Sequence, residues 1–282
     1  MLILNCTKAA ADFFSTTQKG KKISPIEPAP HKTIAESVEE SVAELISEPM
    51  AKPTAPLQWQ WLVHAIKVKG KNVLVMMDYH SRFSITLSAL KKGDDMAFLN
   101  NFEHHLIVHV HEIMTAINID SQAIDASLER FRHQHNSCAF YLRGDGSVQS
   151  HINDVACRFR DQTDELGYVP TEVELIDHDA FVNQLLRKRK TDKDYFFPQH
   201  EFLRAWLRDY GEYSAAQVDE CIEQLNAKER AEFAARHPGL VQACENKNTP
   251  LSSDDPIQPQ TQTKTHKALD NNVIALDAYR KK

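Results

Sequence analysis

Between residues 57 and 90 the chain carries its most restrictive pattern. Phe83, Ile85, Leu87 and Ala89 alternate with Arg82, Ser84, Thr86 and Ser88. Successive side chains of an extended chain point to opposite faces, so a period of two makes a half-buried strand with one polar side. Val73 to Met77 is continuously apolar, as in a strand covered on both faces. Trp59, Trp61, Val63 and Ala65 alternate along a third strand. Lys69-Gly70-Lys71-Asn72 and Tyr79-His80-Ser81 supply the turns. The pattern predicts an antiparallel meander, with Leu2 to Asn5 as a candidate fourth strand.

A long helix is predicted next, over 94–118. Leu99, Phe102, Leu106, Val110, Ile113 and Ile117 recur at steps of three and four and form one apolar face. Asp94 and Asp95 sit at its positive end. A shorter helix, Thr7 to Phe14, follows the first strand, with the Thr7 hydroxyl as cap. These elements define an α+β domain over 1–118, a small antiparallel sheet packed on a long helix. Residues 24–56 interrupt it and hold Pro25, Pro28, Pro30, Pro49, Pro53 and Pro56. Within this insertion Ile34, Val38, Val42 and Leu45 line one side of a short acidic helix over 34–48.

The opening Cys6-Thr7-Lys8 after an apolar strand, then a Trp-containing strand, an apolar hairpin and a long helix, resembles an uncharacterised bacterial domain family that begins with a Cys-Thr-Lys element. The resemblance covers 1–118 apart from the insertion. It implies a fold outline and a bacterial source, and no chemistry.

Residues 119–245 read as a mainly helical second domain. Helices are predicted over 120–135, 147–163, 171–188, 198–210, 215–225 and 227–236. Arg143-Gly144-Asp145-Gly146 is the turn before the second of these. Pro198 suits a first helical turn, and Ser214 to Gln217 is a capping-box pattern. Residues 246–282 read as a disordered tail, polar at first and apolar again over 272–280.

Composition removes several classes. With 8 glycines, a Gly-rich nucleotide-binding fold is disfavoured. The net charge of -6 argues against a surface that grips nucleic acid throughout. Five scattered cysteines with no C-x-x-C pair exclude a zinc ribbon and disfavour a disulfide framework. No signal peptide or membrane span is read, so the expectation is a cytoplasmic protein with no membrane contact.

Two clusters carry chemistry. His104, His105, His109 and His111 crowd one stretch of the long helix, with Glu112 beside them. At 100° per residue His105, His109 and Glu112 share one side, bordering the apolar stripe, and His104 and His111 face the other way. Two imidazoles and a carboxylate can hold a divalent metal. The plainer reading, preferred on spacing alone, leaves both histidines at the edge of the core with no cofactor. Arg187, Lys188, Arg189, Lys190 and Lys193, followed by Tyr195, Phe196, Phe197 and Trp206, combine cations for phosphates with rings for bases. Against that, charge runs are usually solvated faces. Cys6, ahead of a helix, is either an activated thiol or a small core residue, and the second is favoured.

These observations favour a non-enzymatic interaction or regulatory module with a protein partner. The 34–48 helix and the 272–280 segment are its docking elements, in cis or in trans. The alternatives are a nucleic-acid-binding protein using 187–193 and a metal-dependent enzyme with ligands on the helix 94–118.

Overall fold

The computed structural model describes residues 1–39 and 58–238. Its strands are β1 (Leu2–Cys6), β2 (Thr16–Gln18), β3 (Lys21–Ile23), β4 (Ile26–Pro28), β5 (Trp59–Val68), β6 (Lys71–Asp78), β7 (Ser84–Ser88) and β8 (Cys138–Leu142). Its helices are α1 (Lys8–Phe14), α2 (Asp95–Ala116), α3 (Ser121–Gln134), α4 (Gly146–Leu166), α5 (Glu172–Asn183), α6 (Pro198–Asp209) and α7 (Ala215–Arg236). A helical stretch over 34–39 follows β4. The remainder of the 34–48 helix and the segment 272–280 lie outside the described residues.

The meander forms as its alternation requires: β5, β6 and β7 pair antiparallel, with Trp61 opposite Asp78 and Met76 opposite Ile85. The sheet they belong to is larger than expected and mixed. Its order is β4-β8-β1-β5-β6-β7, and β1 runs parallel to both β5 and β8. The fold is therefore α/β, with parallel pairing on one side of β5 and antiparallel on the other, and not the small antiparallel α+β sheet expected. The unexpected strand is β8. Cys-Ala-Phe-Tyr-Leu is an apolar and aromatic run between a helix end and the Arg143-Gly144-Asp145-Gly146 turn, a valid strand signal in a region otherwise helical.

Because β8 lies between β4 and β1, no boundary falls near residue 118. Met1–Phe233 forms one unit, and Ala234–Lys282 a second of which only 234–238 are described. The insertion is likewise partly absorbed: Ile26–Pro28 pairs with β8, and Ile34 is buried. Arg143 ties it down. Its guanidinium donates to Asn5 Oδ1 at 2.7 Å, Ser37 Oγ at 2.6 Å and the Thr33 carbonyl at 2.9 Å.

Both sheet faces are covered. Leu4, Cys6, Trp61, Val63, Leu74, Met76, Ile85 and Leu87 meet α1, α2, α3, α6 and α7. Leu62, Val73, Val75 and Met77 meet α4 and α5. Caps stop and start the helices largely where the sequence indicates: Thr7 accepts from the Ala10 amide, Asp94 from the Ala97 amide, and Pro198 opens α6. Helix 215–236 is continuous, because the Asn226 side chain donates back to the Ile222 carbonyl and does not cap a new helix. The helix expected over 171–188 ends at Asn183, and the chain then closes a bridge between Arg187 and Phe196.

β7 is an edge strand, and its polar side is not solvated: Ser84 and Thr86 are fully buried. Helix α5 covers the edge. Asn183 accepts from the Ser84 amide and donates to the Ser84 carbonyl, each at 2.8 Å, and Asp179 Oδ2 accepts from the Thr86 amide at 2.9 Å. Residues four apart on one helix face thus replace a missing neighbouring strand. Replacing Asn183 by Ala leaves a buried N–H and C=O unpaired. Urea unfolding is expected to show a loss of about 2–4 kcal/mol. A loss below about 0.5 kcal/mol, the range of a neutral surface change, would refute this role.

Candidate metal centre

His105 and His109 lie one turn apart on α2, on the side that reaches around the β7 edge toward α5. Both are 2% exposed, and the Asp179 they meet is 0% exposed. His109 Nε2 is 3.6 Å from Asp179 Oδ2, and His105 Nδ1 is 4.0 Å from the same oxygen. The ligand atoms of all three residues lie within 4.8 Å of one another. Neither spacing is a hydrogen bond. His105 Nδ1, His109 Nε2 and Asp179 Oδ1 are all buried without a hydrogen-bond partner among the described residues. Thr86, whose amide donates to Asp179, adds a buried hydroxyl with no partner.

Buried polar atoms are ordinarily paired, and a buried charge needs a counter-charge or a metal. Burial holds the His105 imidazole below its usual range, outweighing the nearby Asp179 charge that raises it. A neutral imidazole is the metal-ligating form. A tetrahedral ion with bonds of about 2.1 Å keeps its ligands roughly 3.4 Å apart. The observed spacings are a few tenths of an ångström wider than that, about what small side-chain rotations recover.

Glu112, expected as the third ligand, sits elsewhere. Its Oε2 is 3.8 Å from His109 Nδ1, on the ring nitrogen away from the pair with Asp179, and its side chain is 54% exposed. That is where an outer carboxylate orients a metal-bound imidazole. His104 and His111 face outward as expected, beside Glu172 and Asp125. The missed residue is Asp179. It shares the buried face of α5 with Leu175 and Val182, spaced four and three, so an acidic residue inside an apolar stripe was its signal. A cleft of about 290 Å³ opens beside the cluster and is lined by His109, Glu112, Gln184 and Glu229 among others. Across it His200 Nε2 pairs with Glu229 at 2.9 Å.

The basic run is split between the interior and the surface. Arg187 is buried. Lys188 Nζ donates to the Lys193 carbonyl at 2.8 Å, and Arg189 bonds Asp192 at 2.7 Å and the His80 carbonyl at 2.6 Å. Lys190 and Lys193 are exposed. The five residues do not present a single cationic surface.

The Cys-Thr-Lys element is architectural. Cys6 is fully buried, its thiol donates to the Leu4 carbonyl, and desolvation pushes its pKa far up. Thr7 caps α1 and its hydroxyl lies 2.9 Å from His64 Nδ1. Lys8 is exposed.

Comparison with known families gives one match. The profile of a domain of unknown function, DUF6933, covers residues 3–201, and the chain belongs to that family. The match extends well past the 1–118 expected from the opening residues. No curated protein and no solved structure matches the chain. Among the described residues no helix is long and apolar enough to cross a membrane.

A buried, desolvated thiol is a poor nucleophile. Brief treatment of the native protein with iodoacetamide is expected to label the exposed Cys157 well before Cys6, as read by peptide mass spectrometry. Labelling of Cys6 at the rate of Cys157 would contradict the burial.

Proposed function

We propose that this domain binds a divalent transition metal, zinc in the first place, through His105 Nδ1, His109 Nε2 and Asp179, and uses it for metal-dependent chemistry at the adjoining cleft. The carrying observation is the coincidence of unpaired atoms. Ligand atoms of three buried residues from two helices converge within 4.8 Å. His105 Nδ1, His109 Nε2 and Asp179 Oδ1 have no hydrogen-bond partner among the described residues, while Asp179 Oδ2, the oxygen nearer both rings, accepts only from the Thr86 amide. Two imidazoles and one carboxylate suit zinc or iron(II). Three protein ligands are one fewer than a closed structural zinc site uses, which leaves a position for water or substrate. The cleft lined by His109 and Glu112 supports access on that side. A metal there would act as a Lewis acid or would lower the pKa of a bound water. Glu112 would orient His109 from outside the coordination shell.

The other readings have less behind them. An interaction module with a protein partner depends on segments mostly outside the described residues. Nucleic-acid binding through 187–193 depends on cations that are mostly engaged within the chain.

Metal analysis of protein purified without a histidine tag tests the proposal. About one equivalent of metal per chain is expected, absent in His105→Ala, His109→Ala and Asp179→Asn. Glu112→Gln is expected to weaken affinity by about 10- to 100-fold without abolishing it. No bound metal after supplementation with zinc or iron(II) would overturn the proposal.

A further inference from the structure

The opposite imbalance occurs at the start of β7. Arg82 is 3% exposed and has no ion pair with any described residue. Among the described residues its guanidinium makes one hydrogen bond, a long contact from Nη2 to Ser147 Oγ at 3.4 Å. Its Nε and Nη1 are buried with no partner. Arg187 is 4% exposed, and its Nε and Nη2 are also buried without partners. Arg187 Nη1 reaches His151 Nδ1 and Asp154 Oδ2, both at 3.4 Å. Ser147, His151 and Asp154 are spaced i, i+4, i+7 and form one row along the first turns of α4. The two guanidiniums therefore contact neighbouring turns of that row, at Ser147 and at His151, residues about 6 Å apart along the helix axis.

Asp78 and Asp145 lie close enough to favour the Arg82 charge, but neither forms a direct ion pair with it. Asp78 spends its oxygens on the Trp59 indole, the Ser81 amide and the Ser81 hydroxyl. Asp145 caps α4 through the amides of Ser147 and Val148. Asp154 is shared between Arg187 and Arg158, and Arg189 is paired with Asp192 and Glu201. Arg82 also occupies left-handed backbone, φ 61°, which is strained for a residue other than glycine and must be imposed by its surroundings. Tyr79 lies beneath it, the guanidinium carbon 5.3 Å from the ring centroid. The charges of Arg187 and Arg82, together with burial, hold His151 down to about 4, so it is neutral and adds no cation at neutral pH.

We propose that Arg82 and Arg187, over Ser147 and His151 at the N-terminal turns of α4, form a binding site for a small phosphate-class oxyanion. Two unsatisfied guanidinium forks about one helical turn apart match the several acceptor oxygens of one phosphate group. Because both side chains are more than nine-tenths buried, the ligand is inorganic phosphate or a small phosphomonoester, and not a polynucleotide backbone lying across the surface.

The test is isothermal titration and thermal unfolding of the full chain with inorganic phosphate, at fixed ionic strength against chloride. Phosphate is expected to bind saturably and raise Tm. Arg82→Met and Arg187→Met should weaken binding about 10- to 100-fold. Treatment with a metal chelator should leave it unchanged, which separates this site from the metal centre. Arg82→Lys keeps the charge but not the fork; should the Met variants fail to fold, it is expected to bind about tenfold more weakly. In the absence of phosphate, Arg82→Met should be as stable as the natural chain or more so, because it removes an unpaired buried charge. Phosphate no more stabilising than chloride, or unchanged binding in both the Met and Lys variants of Arg82, would overturn the proposal. So would competitive displacement of phosphate by single-stranded DNA, which would mark a nucleic-acid surface instead.

Discussion

The outer edge of β7 is the constraint on which this half of the molecule depends. An edge strand exposes alternate N–H and C=O groups that must find partners or water. Here the edge is buried, so water is excluded and another strand is not available. Helix α5 meets the requirement with Asp179 and Asn183, whose side chains take the hydrogen bonds a seventh strand would have taken. That solution brings a carboxylate into the interior. Its consequences reach α2, which packs over the other face of the sheet and turns His105 and His109 toward the same carboxylate.

The interior consequently holds two charged side chains of opposite sign whose polar atoms are incompletely hydrogen-bonded among the described residues. Asp179 has imidazoles near it at distances too long for hydrogen bonds, and Arg82 has only a hydroxyl at the limit of one. A buried uncompensated ion costs several kcal/mol, a large part of the roughly 5–15 kcal/mol by which domains are stable. The two cannot relieve each other, because each is tied to its own partners: Asp179 to the Thr86 amide and Arg82 to Ser147 on α4. External ions of opposite sign, a metal cation at one and an oxyanion at the other, resolve both by the same physical argument.

Much of this was legible in the residues. Alternation gave the β5–β7 meander, because period-two burial is a local property. The 100° rotation per residue separated His105 and His109 from His104 and His111, because all four ride on one helix. Glu112 was misjudged and Asp179 missed for a shared reason. Proximity along a helix can be counted, but proximity between α2 and α5 depends on how both pack at the β7 edge. The burial of Arg187 was hidden for the same reason. A cluster of cations reads as surface until the bridge from Arg187 to Phe196 carries the first of them inward. β8 was hidden by its neighbours, a short strand among helices, and without it the sheet could not be seen to continue past residue 118.

The extent of the family match bears on where specificity resides. Residues 3–201 contain His105, His109, Asp179, Arg82, Arg187 and the α4 row. They also contain every strand of the sheet that positions them. They do not contain Leu225 and Glu229 of α7, which wall the cleft beside His109. Ligation of a metal by two helices braced on the sheet requires nothing from α7. Access to it does, since Leu225, Lys228, Glu229 and Glu232 of α7 line the cleft. The proposed ligands thus all lie within the matched domain. The size and charge of what can approach it are set by the helix that follows.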